Sequence, residues 1–155
     1  MSVRRSPRTS AADQALQRAL AGEHAAAYGY GVIGAHLAGA QRASAAADWV
    51  AHQVSRDELA GLLRSRGAEP AAAAVAYQLP VPVSNAAQAR ALAVILEERV
   101  AADYLALVAL GDSRLRQLGA QRLTAAAVRA AAWRGRTEPF PGLPPSALAQ
   151  PGPRR

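Results

Sequence analysis

The chain has no cysteine and no lysine, a single phenylalanine and two tryptophans among its 155 residues. Without cysteine there is no disulfide, no thiolate metal site and no cysteine nucleophile. The scarcity of aromatic and β-branched residues, set against 41 alanines, argues for helices over sheets. No run of 18 uninterrupted apolar residues occurs, which excludes an obvious membrane span. The arginines of the N-terminus are not followed by an apolar signal core, because Asp13, Gln14, Gln17, Arg18 and Glu23 interrupt the alanine-rich stretch. The expectation is a soluble, cytoplasmic protein with no membrane partner.

What is present is a half-apolar chain with formal charge +7, and all its cations are arginine. High basicity suggests nucleic-acid binding until the charge is placed along the chain. Residues 1–10 and 134–155 each carry a net +3, whereas residues 11–133 hold 11 arginines against 10 acids. The body is nearly neutral, so any nucleic acid or acidic partner would be held by the Arg tails alone.

Four helical segments are punctuated by caps. Ser10-x-x-Asp13 resembles a capping box opening a helix that runs to about Leu37, and a second helix spans about Gln41 to Arg66 before Gly67. Ser84 or Asn85, with Gln88 following, opens a third that reaches Leu110. Asp112 or Ser113 opens a fourth that ends near Arg134. Short connections make each consecutive pair an antiparallel hairpin. The 16 residues between Gly67 and Ser84 reach roughly 50 Å when extended, enough to pass along a helix about 40 Å long. The sequence therefore predicts an all-α bundle of two antiparallel helical hairpins with one long crossover. Residues 1–10 are assigned to a disordered basic tail, 11–143 to the bundle and 144–155 to a Pro-rich basic tail, with Phe140 and Leu143 available to pack back on the helices.

One pattern occurs twice, 74 residues apart: Leu20, Glu23, Ala27, Tyr30 and Val94, Glu97, Ala101, Tyr104. Each copy places an acid on an otherwise apolar helical stripe, where a carboxylate is costly unless something pairs it. In the second helix the stripe Ala45, Trp49, His52, Arg56, Leu59, Leu63 is interrupted by His52 and Arg56, and Asp48 forms an i, i+4 ladder with both. Glu98 competes with Glu97 for the inward position. The fourth helix has no Asp, Glu or His between Ser113 and Trp133. His24 and His36 fall off the stripe, and Trp49 and Trp133 sit at core spacing.

A carboxylate on the first and third helices, paired hairpins and a long crossover resemble the ferritin-like fold. In detail, the stretch from Leu20 through Glu23, Tyr28 and Tyr30, then His52 before Arg56-Asp57, Leu96-Glu97-Glu98-Arg99, Trp133-Arg134 and Pro139-Phe-Pro-Gly142, resembles alanine-rich actinobacterial ferritin-like proteins catalogued as a domain of unknown function. The resemblance spans about residues 12–143. It implies a helix-one carboxylate at Glu23, a helix-three carboxylate at Glu97 and a helix-two histidine at His52. Such di-metal enzymes use a Glu on two helices and a Glu-x-x-His on the other two. Here Trp49 stands three before His52 and the fourth-helix pair is missing, so a standard di-iron centre does not assemble and the metal site is degenerate.

Two readings of the buried charges follow. In one, Glu23, His52 and Glu97 or Glu98 hold a single divalent ion (iron, manganese or zinc), with Tyr30 and Tyr104 behind the ligands, as a metal-binding or oxidase-type protein. In the other, Arg56 and Arg129 neutralise the carboxylates, and Glu23, His52, Arg56, Glu97 and Arg129 form a core ion-pair network with no cofactor. The second makes the chain a non-catalytic binding or structural module; no set of catalytic residues is read. Alanine-rich faces also permit a homo-oligomer.

Overall fold

A computed structural model describes residues 10–135, and among these are four helices and no strand: α1 (Ala11–Ala35), α2 (Gly39–Ser65), α3 (Ala86–Val108) and α4 (Ser113–Arg134). Phe140, Leu143 and both arginine-rich tails, apart from Ser10, Arg134 and Gly135, lie outside the described residues. Among the described residues no helix is long and apolar enough to cross a membrane.

The helix ends follow local chemistry. Ser10 Oγ accepts the Asp13 backbone N–H at 3.0 Å, and the Asp13 carboxylate accepts in return from the Ser10 backbone, closing the capping box, and from Arg66 at 2.6 Å. At α3, Asn85 Oδ1 accepts from the Gln88 N–H at 3.0 Å while Gln88 Oε1 accepts from the Ser84 N–H at 2.9 Å. Asp112 Oδ1 accepts from the backbone of Arg114 and Leu115 at the start of α4. Gly135, at φ +77°, closes α4 in the left-handed conformation that side chains disfavour.

Side-chain contacts set the helix directions. Arg42, early in α2, donates to the Gly34 carbonyl late in α1, and Arg66, just past α2, meets Asp13 at the start of α1. Arg18 pairs with Asp103 while Tyr30 meets Glu97, so α1 and α3 also run oppositely. Arg129 reaches Glu97 and Gly119 abuts Leu107, which makes α3 and α4 antiparallel. Helix α1 packs directly on α2 and α3, and α3 on α4. Side-chain bridges, Arg122 to Glu58 and Trp133 to Asp48, join α2 to α4.

The α2–α3 connection is held along α1. Gln17 clasps it by donating to the Glu69 carbonyl and accepting from the Ala71 N–H, and the His24 ring bonds the Ala71 carbonyl. Further on, Tyr77 packs against Tyr28, and the alternation of Leu79, Val81 and Val83 puts one side of the strap on the core.

The core is divided. One apolar cluster gathers Leu16, Leu20, Leu59, Leu63, Tyr104, Leu107 and Leu115, and a second gathers Tyr30, Ile33, Leu37, Leu92 and Leu96. Glu23, His52 and Glu97 are buried in the polar layer linked to both clusters through Tyr104 and Tyr30. Two glycines let the helices close around this layer. The Leu96 side chain occupies the place a Cβ on Gly29 would need, and a Cβ on Gly119 would lie 2.8 Å from Leu107 Cβ and 3.0 Å from the Val108 backbone nitrogen.

Candidate functional site: a histidine between two buried carboxylates

The imidazole of His52 lies between the two repeated glutamates. Its Nδ1 is 2.6 Å from Glu23 Oε2 and its Nε2 is 3.0 Å from Glu97 Oε1, with all three side chains essentially inaccessible to solvent. A neutral imidazole has one N–H and would turn a lone pair toward one carboxylate, so both contacts are satisfied only by the imidazolium. Burial works against that charge, but the hydrogen bonds and charges of Glu23 and Glu97 outweigh it and raise His52 to about 9. It is an ion at neutral pH.

The repeat explains how the outer ends of this bridge are closed. Tyr104, from the second copy, donates to Glu23 Oε1 at 2.7 Å, and Tyr30, from the first, donates to Glu97 Oε1 at 2.7 Å. Each Glu–Tyr pattern thus completes the other one across the α1–α3 contact. Burial, and secondarily the adjoining carboxylate, holds both phenols well above their ordinary value. They are fixed donors.

Helix α4 breaks the symmetry by contributing a cation. Arg129 Nε donates to Glu97 Oε1 at 2.8 Å from a side chain 20% exposed. Burial would raise Glu97, yet His52 and Arg129 hold its carboxyl below the usual carboxylate range. Two carboxylates therefore face two cations. The balance is uneven at atomic level, since Glu97 Oε1 accepts from His52, Tyr30 and Arg129 while buried Oε2 has no hydrogen-bond partner among the described residues.

Two candidate residues stand elsewhere. Arg56, expected beside the carboxylates, pairs with its neighbour Asp57 at 2.8 Å. The buried stripe of α2 runs through Ala45, His52, Ser55, Leu59 and Leu63, which leaves Arg56 at its edge. Glu98 is 46% exposed and pairs with Arg134, because its position beside Glu97 turns it about 100° around the helix. Trp49, expected in the core, is 40% exposed for the same reason as Arg56. His36 bonds the Val32 carbonyl one turn back.

Asp48 and Trp133 join the site although neither was singled out for it. Asp48 Oδ2 accepts from Trp133 Nε1 at 2.8 Å and lies 3.4 Å from the Tyr30 hydroxyl, and burial raises its carboxyl. The signal was available in the spacing Asp48, His52, Ser55, Leu59, Leu63, which is as helical as the stripe through Trp49 and Arg56. What it lacked was a reason to put an aspartate inward, and that reason is a tryptophan N–H from another helix.

As arranged, the donors do not suit a metal ion. Glu23 and Glu97 approach opposite edges of one ring, so their oxygens and a histidine nitrogen do not converge on a common point. Among the described residues no group of three or more His, Cys, Asp or Glu side chains is placed to hold a metal ion.

No curated protein matches the chain. A crystal structure of a conserved hypothetical protein, rv2844, from Mycobacterium tuberculosis is similar to it, at 36% identity and a TM-score of 0.79, over 83% of this chain and 98% of that one. The model of a family described as a domain of unknown function, DUF4439, matches residues 15–145. That match takes in Glu23, His52, Glu97 and Arg129 together with nearly all of the four helices, and the chain belongs to this family.

Proposed function

We propose that the chain is a ferritin-like bundle in which a buried ion-pair network stands in place of a metal centre, and that it acts as a non-catalytic binding or structural module. The observation that carries the reading is the position of His52, each of whose ring nitrogens engages a different carboxylate. A single divalent ion would require Glu23, His52 and Glu97 atoms within about 2.0 to 2.5 Å of one point. Here the His52 imidazolium on α2 and the Arg129 guanidinium on α4, a helix that carries no acid, supply two positive charges instead. The ferritin-like part of the reading is supported by carboxylates on α1 and α3, by the helix directions and by the long α2–α3 connection.

A second reading, a mononuclear iron, manganese or zinc site through Glu23, His52 and Glu97, draws on Glu97 Oε2, a buried acceptor with no donor among the described residues. It requires the imidazole to turn out of its bridge. Elemental analysis of protein purified without chelator separates the two. Metal well below one equivalent is expected on the first reading, whereas stoichiometric metal that Glu23→Ala removes would overturn it.

A further inference from the structure

Between α2 and α4, where the helices are bridged by side chains, lies a cleft of about 480 Å³. That is within the range of small-molecule sites, roughly 300 to 1,000 Å³. Its lining includes three guanidiniums, Arg90, Arg129 and Arg134, and one carboxylate, Asp48. We propose that this cleft binds a small organic anion, a carboxylate or phosphate ester carried on a flat apolar body, with Arg90 and Arg129 gripping the charge and Trp133 contacting the body.

Three observations carry the assignment. Arg90 is half-buried on α3, lines the cleft and forms no ion pair with any described residue. Arg129 reaches Glu97 through Nε, and its side chain, 20% exposed, also lines the cleft. A guanidinium held by one edge presents its remaining fork to an incoming carboxylate or phosphate with little further ordering. The Trp133 ring is fixed by its N–H bond to Asp48 and by Tyr30, with ring centroids 6.4 Å apart. Val128, 63% exposed, provides further apolar wall. A cationic ligand is disfavoured, because Asp48 Oδ2 already accepts from Trp133 and arginines outnumber it.

The inference concerns a different site from the His52 bridge and stands whether or not that bridge ever yields to a metal, although Arg129 touches both. The test uses the full chain carrying Trp49→Phe, which leaves Trp133 as the sole tryptophan and removes a ring outside the cleft. Its fluorescence is titrated with benzoate and phenyl phosphate, with neutral benzamide and with sodium chloride at matched ionic strength as controls. The expected result is a saturable change with at least one of the two anions, weakened about tenfold or more by Arg90→Gln, a change that breaks no ion pair among the described residues. No saturable change with either anion would overturn the proposal. So would an equal response to benzamide or to salt, or unchanged affinity in Arg90→Gln protein that melts like its parent.

Discussion

Raising the pH from 6 to 9.5 should strip the bundle of most of the stability that His52 contributes. In the unfolded chain His52 titrates near 6.5, whereas in the fold Glu23 and Glu97 hold it at about 9. A group raised on folding stabilises fully below its unfolded value and loses that contribution as pH climbs through its folded one. The difference corresponds to about 3 kcal/mol, present in full at pH 6 and nearly gone at 9.5. At a urea dependence of about 2 kcal/mol per molar, the unfolding midpoint should fall by roughly 1.5 M over that window. Tyr30 and Tyr104 do not confuse the measurement, because their loss begins only where unfolded tyrosine ionises, near pH 10. Glu97 acts at the acid end, since its lowered carboxyl loses stability as pH falls, and Arg129 keeps its charge throughout. Urea melts at half-unit intervals supply the curve, and the nitrogen chemical shifts of the His52 ring supply its titration directly. His52→Gln should lower stability everywhere, as two carboxylates then face a neutral amide, but it should flatten the slope. A wild-type midpoint that stays level from pH 6 to 9.5, or a ring that titrates near 6.5, would refute the doubly bonded imidazolium.

Further outcomes follow from the repeat and from the close helix contacts. Tyr30→Phe and Tyr104→Phe each remove one hydrogen bond to a buried carboxylate and should each cost about 1.5 to 3 kcal/mol in chemical denaturation. A loss below 0.5 kcal/mol at either site, of the order of an ordinary surface change, would contradict the reciprocal pairing. Gly119→Ala should destabilise by about 1 to 3 kcal/mol, because the new methyl meets the Val108 backbone and Leu107. Gly31→Ala meets nothing within 4 Å and should stabilise α1 by about 0.5 to 1 kcal/mol. A Gly119→Ala protein that melted no lower than its parent would show that the α3–α4 contact is looser than described, and a Gly31→Ala protein that melted lower would contradict the open space at that position.

Much of the architecture was legible because it rests on local chemistry. Ser10, Asn85 and Asp112 are side chains that satisfy the first N–H groups of a helix, and Gly135 tolerates the backbone that ends one, so the elements could be bounded from neighbours alone. The candidate site was legible in part. Glu23, His52, Glu97 and Arg129 meet, but Arg56 and Glu98 do not, because a stripe read at 3.6 residues per turn leaves its edges uncertain by one position. Asp48 and Trp133, 85 residues apart, found each other through no regularity of spacing.

The sequence by itself determined four helices, their order, the length of the connection between the halves and a twice-repeated acid with a tyrosine seven residues on. These depend on interactions within a few residues of each other, or on chain length. Only the tertiary structure decided what the repeated acids do. Their pairing turns on which ring edge meets which carboxylate and on Tyr30 and Tyr104 crossing between the copies. Distances of 2.6 to 3.0 Å across three helices decide whether a buried charge is a cost or a contact, and that register is set by packing.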